Sequence, residues 1–207
     1  MIWSWVVSII GLVAQHPNWA MAAAFAGAII EAVAVLGILF PWTYMLMAVT
    51  GAAAAAGQSM LPYLLLAIAG AVLGDFLSFW FGARYADTLR RIWPFSRMPG
   101  TMARADWFFE RYGVASVALC RFLPVLRSTV PLVAGMAGMQ RQRVLLANVA
   151  SAFVWAPAHV YPAQFAGMTL GALRDGDWIA VSFWGAMLLF CFVGFWLLHR
   201  LVVARAR

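Results

Sequence analysis

The 207 residues contain no lysine, only two cysteines, and only seven acidic side chains. Each scarcity excludes something. Charged residues make up 10% of the chain against about 25% in soluble domains, too few to cover a water-facing surface. Without lysine, any phosphatase motif built on that residue is absent. There is no G-x-S-x-G, no H-E-x-x-H and no Cys/His cluster, so the common hydrolase nucleophile and zinc signatures are missing. Cys120 and Cys191 both lie in apolar runs and read as small buried hydrophobes, neither a disulfide nor a metal pair. The first twenty residues have no basic n-region and no clear cleavage motif. They read as an N-terminal helix, spanning or interfacial, rather than a signal peptide.

What is present is apolar surface. Hydrophobic residues make up 65% of the chain and mean hydropathy is +0.88, so bilayer thickness is the appropriate ruler. A spanning helix needs about 20 apolar residues, which allows at most about six crossings. The expected class is an all-α polytopic membrane protein forming one membrane domain. All 14 basic residues are arginine. They flank the apolar runs, so the +7 charge is a topology signal and not a nucleic-acid footprint.

The chain divides into an N-terminal helix (1–18), a first hairpin and span (19–83), and an Arg-rich interfacial segment (84–112). A second hairpin and span (113–172) and a C-terminal span (178–200) follow. Pro41 interrupts the first long run, and Pro124 and Pro131 interrupt the second. In the first run the pieces beside Pro41 are too short to cross about 30 Å of hydrocarbon, so it reads as a kinked helix or a re-entrant hairpin. Arginine placement favours a hairpin for 113–139. With 84–112 in the cytoplasm, a hairpin returns Arg141 and Arg143 to that side, and the 178–200 span brings the Arg-rich tail back to it. Read the same way, the first half is a hairpin of opposite orientation, entering over about 31–57. Two such units make an inverted repeat, the plan of many secondary transporters. The repeat is faint in sequence: each half has a proline followed ten or eleven positions later by a small pair, Thr50-Gly51 and Ala134-Gly135.

The stretch RFLPVLRSTVPLVAGMAGMQRQRVLLANVASAFVW (121–155) carries Arg121, Pro124, Arg127, Pro131, Ala134, Gly135, Met139, Asn148 and Trp155. At this spacing it resembles the DedA family of bacterial membrane proteins, the VTT or SNARE-associated domain group. Glu31, Pro41 and the GDFLSFWFGARYA stretch (74–86) resemble the family's first half. The resemblance covers about residues 25–170. One departure stands out. Many members place an acid shortly after the first proline, whereas this chain has Pro41-Trp42-Thr43, as in a subgroup bearing threonine. The resemblance implies a fold with two re-entrant hairpins in the bacterial inner membrane. It implies translocation of a lipid-linked phosphate (undecaprenyl phosphate or a phospholipid), with coupling to the proton gradient. No cofactor is expected, and the partners are the lipid substrate and membrane lipids, with a homodimer left open.

The candidate residues admit plain and functional readings. Glu31 either sits near an interface or is a protonatable carboxylate facing a cavity. Asp75 either pairs with an arginine of the opposite hairpin or serves proton or substrate handling. Arg121 and Arg127 bracket Pro124. Guanidinium offers a planar fork for phosphate, so a phosphate site stands against a purely structural pairing with Glu31 and Asp75. Pro41, Thr43, Pro124, Pro131 and Gly135 shape the hairpins. Asn148 and Trp155 read as helix-packing residues, and His159 as a packing or pore-wall residue. The rival functions are an intramembrane lipid-modifying enzyme and a structural or assembly protein, and the reading here is a transporter.

Overall fold

The computed structural model describes residues 8, 11–33, 42–91, 111 and 124–205, and of 124–128, 195 and 197–205 it describes the backbone. The described residues are helical throughout, joined by short turns. In chain order the helices are α1 (Pro17–Ala32), α2 (Trp42–Ala55), α3 (Leu61–Arg84), α4 (Ala86–Arg91), α5 (Pro124–Met136), α6 (Arg141–Asp175) and α7 (Trp178–Arg205). Helices α3 and α6 are long and apolar enough to cross a membrane. At 1.5 Å per residue, α2 and α5 reach only about 20 Å, short of the hydrocarbon thickness.

Proline at its first position starts α1, where no N–H is needed. The helix stops at Ala32 because Val33 turns extended, with ψ 122°. One continuous helix over 19–40 is thereby excluded, and the break comes well before Pro41. Helix α2 then lies antiparallel beside α1. The Trp42 indole occupies the place a Cβ would take on Gly27, and the Thr43 hydroxyl donates to Glu31. At the far end Gln58 Nε2 donates to the Val13 carbonyl at 2.9 Å. The first helical hairpin is therefore α1 with α2, wider than the 31–57 segment expected from sequence. Helix α3 returns parallel to α1: Gly70 abuts Phe25 and Ala28, Gly74 abuts Ile29 and Ala32, and Ser78 Oγ donates to the Ala32 carbonyl at 3.0 Å.

Each short helix docks on the long helix of the other half. Helix α2 runs along the C-terminal part of α6, where Gly51 meets Ala163 and Gly167, and Gly171 meets Ala55. Helix α5 runs along the C-terminal part of α3, where Leu132 meets Gly82 and Gly135 meets Phe79 and Ala83, with Met136 packed in a cluster with Ala86 and Leu89. Both short helices end in the same turn. Gly57 (φ 73°) and Gly138 (φ 71°) take the left-handed conformation, and the next residues, Gln58 and Met139, donate back to the carbonyls of Ala53 and Ala134. This is a Schellman stop, and it favours glycine because a Cβ is strained there. Superposing these turns pairs Gly51 with Leu132 and Gly135 with Ala54. The small pairs Thr50-Gly51 and Ala134-Gly135 are thus not structural equivalents. They sit one helical turn out of register on the same face, which is why both looked alike in sequence.

Residues 174–177 form a tight turn between α6 and α7. Arg174 and Asp175 complete α6, Gly176 caps it at φ 74°, and Asp177 Oδ1 accepts from the N–H groups of Ile179 and Ala180 to open α7. Helix α6 runs through Pro157 and Pro162 without a break, so the stretch around His159 is continuous helix. Helix α7 packs on α6 and leaves large apolar side chains such as Ile179 and Phe190 exposed. Cys191 on α7 is half-buried rather than buried.

Candidate functional site

Among the described residues, two carboxylates are buried in the largely apolar bundle. Glu31, 8% exposed, is in the last turn of α1, and Asp75, 4% exposed, is midway along α3. The contacts of Gly74 and Ser78 with Ile29 and Ala32 bring these two stretches to the same height. A charged side chain at this depth is costly and stays only where protein groups or water receive it. Thr43 supplies one such group by donating to Glu31 Oε1. The residue that departs from the acid-bearing family pattern therefore acts directly on the first buried carboxylate, joining the start of α2 to the end of α1.

Asp75 opens onto a small cavity between α3, α5 and α6. Its lining includes Phe76 and Phe79 on α3, Pro131 on α5, and Arg141, Val144, Leu145 and Asn148 on α6, and it has room for about one water. Asn148 is buried, and its Nδ2 donates to the Val72 carbonyl at 3.1 Å, tying α6 to α3 just above Asp75. At the other end, the Arg141 guanidinium lies over the Phe76 ring, 4.8 Å from its centroid. Pro131 lacks the N–H that would bond to the carbonyl of Arg127, so α5 is locally weakened beside the cavity.

The structure thus brings together Asp75, Pro131 and Asn148 of the residues singled out from sequence, and separately joins Glu31 to Thr43. Gly135 lies at the α5–α3 crossing, against the Phe79 carbonyl. Trp155 is in the core, 2% exposed, with His159 beside it: the rings are 4.7 Å apart and His159 Nδ1 is 2.8 Å from the Trp155 carbonyl. Arg121 and Pro41 lie outside the described residues, as do the side chains of Pro124 and Arg127.

Sequence reasoning overlooked two residues. Ser78 bonds α3 to the end of α1, and Arg141 was taken only as a marker of membrane side. A signal for Arg141 existed: Arg141, Val144, Leu145 and Asn148 follow the i, i+3, i+4, i+7 pattern of one helix face. Among the described residues, no group of His, Cys, Asp and Glu is arranged to hold a metal ion.

The comparisons with known proteins agree on the family. The VTT domain pattern matches residues 31–165. The chain is similar to the inner membrane protein YabI of Escherichia coli K12, at 28% identity over 196 residues, covering 91% of this chain and 75% of YabI. It is similar to Protein DedA of the same organism, at 27% identity over 178 residues, covering 82% of this chain and 78% of DedA. An uncharacterized membrane protein of Mycobacterium bovis is 37% identical over 120 residues, covering 56% of this chain and 55% of that protein. No solved structure matches. With most of its length matched by the VTT domain, and with a helical membrane bundle built around Glu31 and Asp75, the chain belongs to the DedA family of membrane proteins.

Proposed function

We propose that this protein is a multi-pass carrier of the bacterial inner membrane that moves a lipid-linked phosphate across the bilayer, coupled to protons. The observation that carries this reading is the burial of Glu31 and Asp75 where two short helices dock crosswise in the bundle. Buried carboxylates in a membrane interior mark ion or proton pathways by default. Reciprocal docking of repeated halves is the scaffold on which many secondary carriers alternate their access. The short α2 and α5 are then the return arms of two re-entrant hairpins of opposite orientation. The headgroup binds Arg121 and Arg127 through bidentate guanidinium contacts, and Glu31 or Asp75 takes up a proton as the anion loads. The name of the similar YabI supports the inner-membrane placement.

The test is transport by the purified protein in liposomes, using a fluorescent polyprenyl phosphate and an imposed proton gradient. Gradient-accelerated flipping is expected from the natural sequence. Arg127→Lys keeps the charge but loses the fork, and should slow flipping at least about tenfold. Glu31→Gln should insert normally and lose the acceleration by the gradient. A chemically altered lipid recovered from the assay would instead mark an enzyme. Absence of any flipping, with the protein intact, would leave a structural or assembly role.

A further inference from the structure

The cavity beside Asp75 has a mouth, and one residue stands at it. Arg141 is the first residue of α6, and its side chain is exposed. Its guanidinium is steadied over the Phe76 ring. Among the described residues it makes no hydrogen bond and no ion pair, even though Asp75 lines the same cavity. A cation–π contact consumes no N–H, so all five donors of Arg141 remain for a ligand. Gln140, just before it, offers no side-chain cap, so the first backbone N–H groups of α6 add a field that favours an anion at the same place.

The mirrored position in the molecule has none of this. The displacement that relates Gly82 to Gly167 carries Asp75 to Val160, and returns Asn148 to Tyr63. Both Val160 and Tyr63 are fully packed in the apolar core. Among the described residues, the polar-lined cavity near the α5–α6 turn therefore has no polar counterpart at the mirrored position.

We propose that this mouth is the capture site for a phosphate monoester headgroup, with Arg141 as the residue that takes it from the lipid surface. The proposal deepens the transport reading and rests on it for the lipid. Phosphate suits the site because an arginine fork presents paired N–H groups to two phosphate oxygens. The cavity behind Arg141 holds no more than about one water, so a headgroup halts at the mouth in this arrangement. Moving further requires α5 to shift on α3, against which it packs, at the stretch that Pro131 has weakened.

The experiment is equilibrium binding to the purified full chain in nanodiscs of zwitterionic lipid. The probes are a spin-labelled polyprenyl phosphate, the corresponding polyprenol, and inorganic phosphate. Arg141→Gln should weaken binding of the polyprenyl phosphate about tenfold and leave the polyprenol unchanged. Arg143→Gln removes the same charge two residues away, on another face of α6, and should change little. Phe76→Leu should give an intermediate loss, since the guanidinium is no longer steadied. Equal weakening by Arg141→Gln and Arg143→Gln would overturn the site in favour of a diffuse positive field. Binding indifferent to Arg141, or no binding by the natural sequence, would overturn it outright. Dependence on Arg141 for inorganic phosphate alone would show a site for free phosphate and overturn headgroup capture. Arg141-dependent lipid binding by a protein that flips nothing would keep the capture site and sink the transport reading.

Discussion

Where α2 crosses α6, Gly51 faces Gly167, and the surroundings are filled by Leu46, Tyr63, Trp155 and Val160. Where α5 crosses α3, Leu132 faces Gly82, and the surroundings open into a cavity lined by Asp75, Asn148 and Arg141. The backbone joint is the same in both places, down to the left-handed glycine that ends each short helix. The filling is opposite. Close backbone approach is thus common to both crossings, whereas the polar-lined cavity borders one of them. Among the described residues, the same joint is filled at one crossing and bordered by a cavity at the other.

The strongest test of that contrast is to carry the polar group across. Val160→Asp places a carboxylate where the joint is closed and no group is arranged to receive it. It should cost about 3 kcal/mol or more, seen as loss of monodisperse protein in detergent and a sharply lower melting temperature. Asp75→Asn, at the cavity, should leave the protein folded. If Val160→Asp is as stable as the natural sequence, the two crossings are not different in the way described.

Breaking the joints themselves comes next. A Cβ at Gly82 would overlap the Leu132 carbonyl, and one at Gly167 the Gly51 carbonyl. Gly82→Val and Gly167→Val should each destabilise by about 2–3 kcal/mol, as overpacking against backbone does. Gly185→Val, on α7 with nothing within 4 Å of its Cβ position, should cost well under half as much. Melting curves of the three variants decide the matter, and similar losses at all three would deny the crossings a special role.

A smaller effect separates the two carboxylates. Thr43→Val removes the hydroxyl that donates to Glu31 while keeping the volume, and should cost about 1–2 kcal/mol. Thr43→Ser keeps the donor and should recover most of the loss. Unchanged stability in Thr43→Val would mean that other groups hold Glu31. The smallest effect concerns the matched turns. Gly57→Ala and Gly138→Ala each force an L side chain into the left-handed region, at about 1 kcal/mol. Their losses should match within a few tenths, and a large disparity would count against the equivalence of the two halves.

Much of this was legible in the chain. The apolar runs that became α3, α6 and α7 were readable from composition and length, because bilayer thickness leaves few alternatives. Glu31 and Asp75 stood out because an acid in an apolar run has to be paired, protonated or placed near an interface. The extent of the first hairpin was not legible. Its first arm is α1, and Gly27 and Val33, which admit Trp42 and end the helix, carry no strong signal in an alanine-rich stretch. The register of the repeat was missed because glycine serves two purposes here. Gly51 and Gly135 permit contact, while Gly57 and Gly138 end helices, and sequence alone does not say which pair to align.

Arg141 shows the same divide. From sequence, its charge gave an expected membrane side, since arginine near a span favours the cytoplasm. Its posture over Phe76, at the edge of the cavity that holds Asp75, depends on where α6 meets α3. That meeting is set by Asn148 bonding to Val72 and by α5 packed alongside. By itself the sequence determined the solvent, the helices and the presence of charges that hydrocarbon would not tolerate, because these follow from transfer energies of single residues. Which carboxylate lines the cavity, and beside which arginine, only the tertiary structure decided, because both follow from contacts between residues some seventy positions apart that no local pattern encodes.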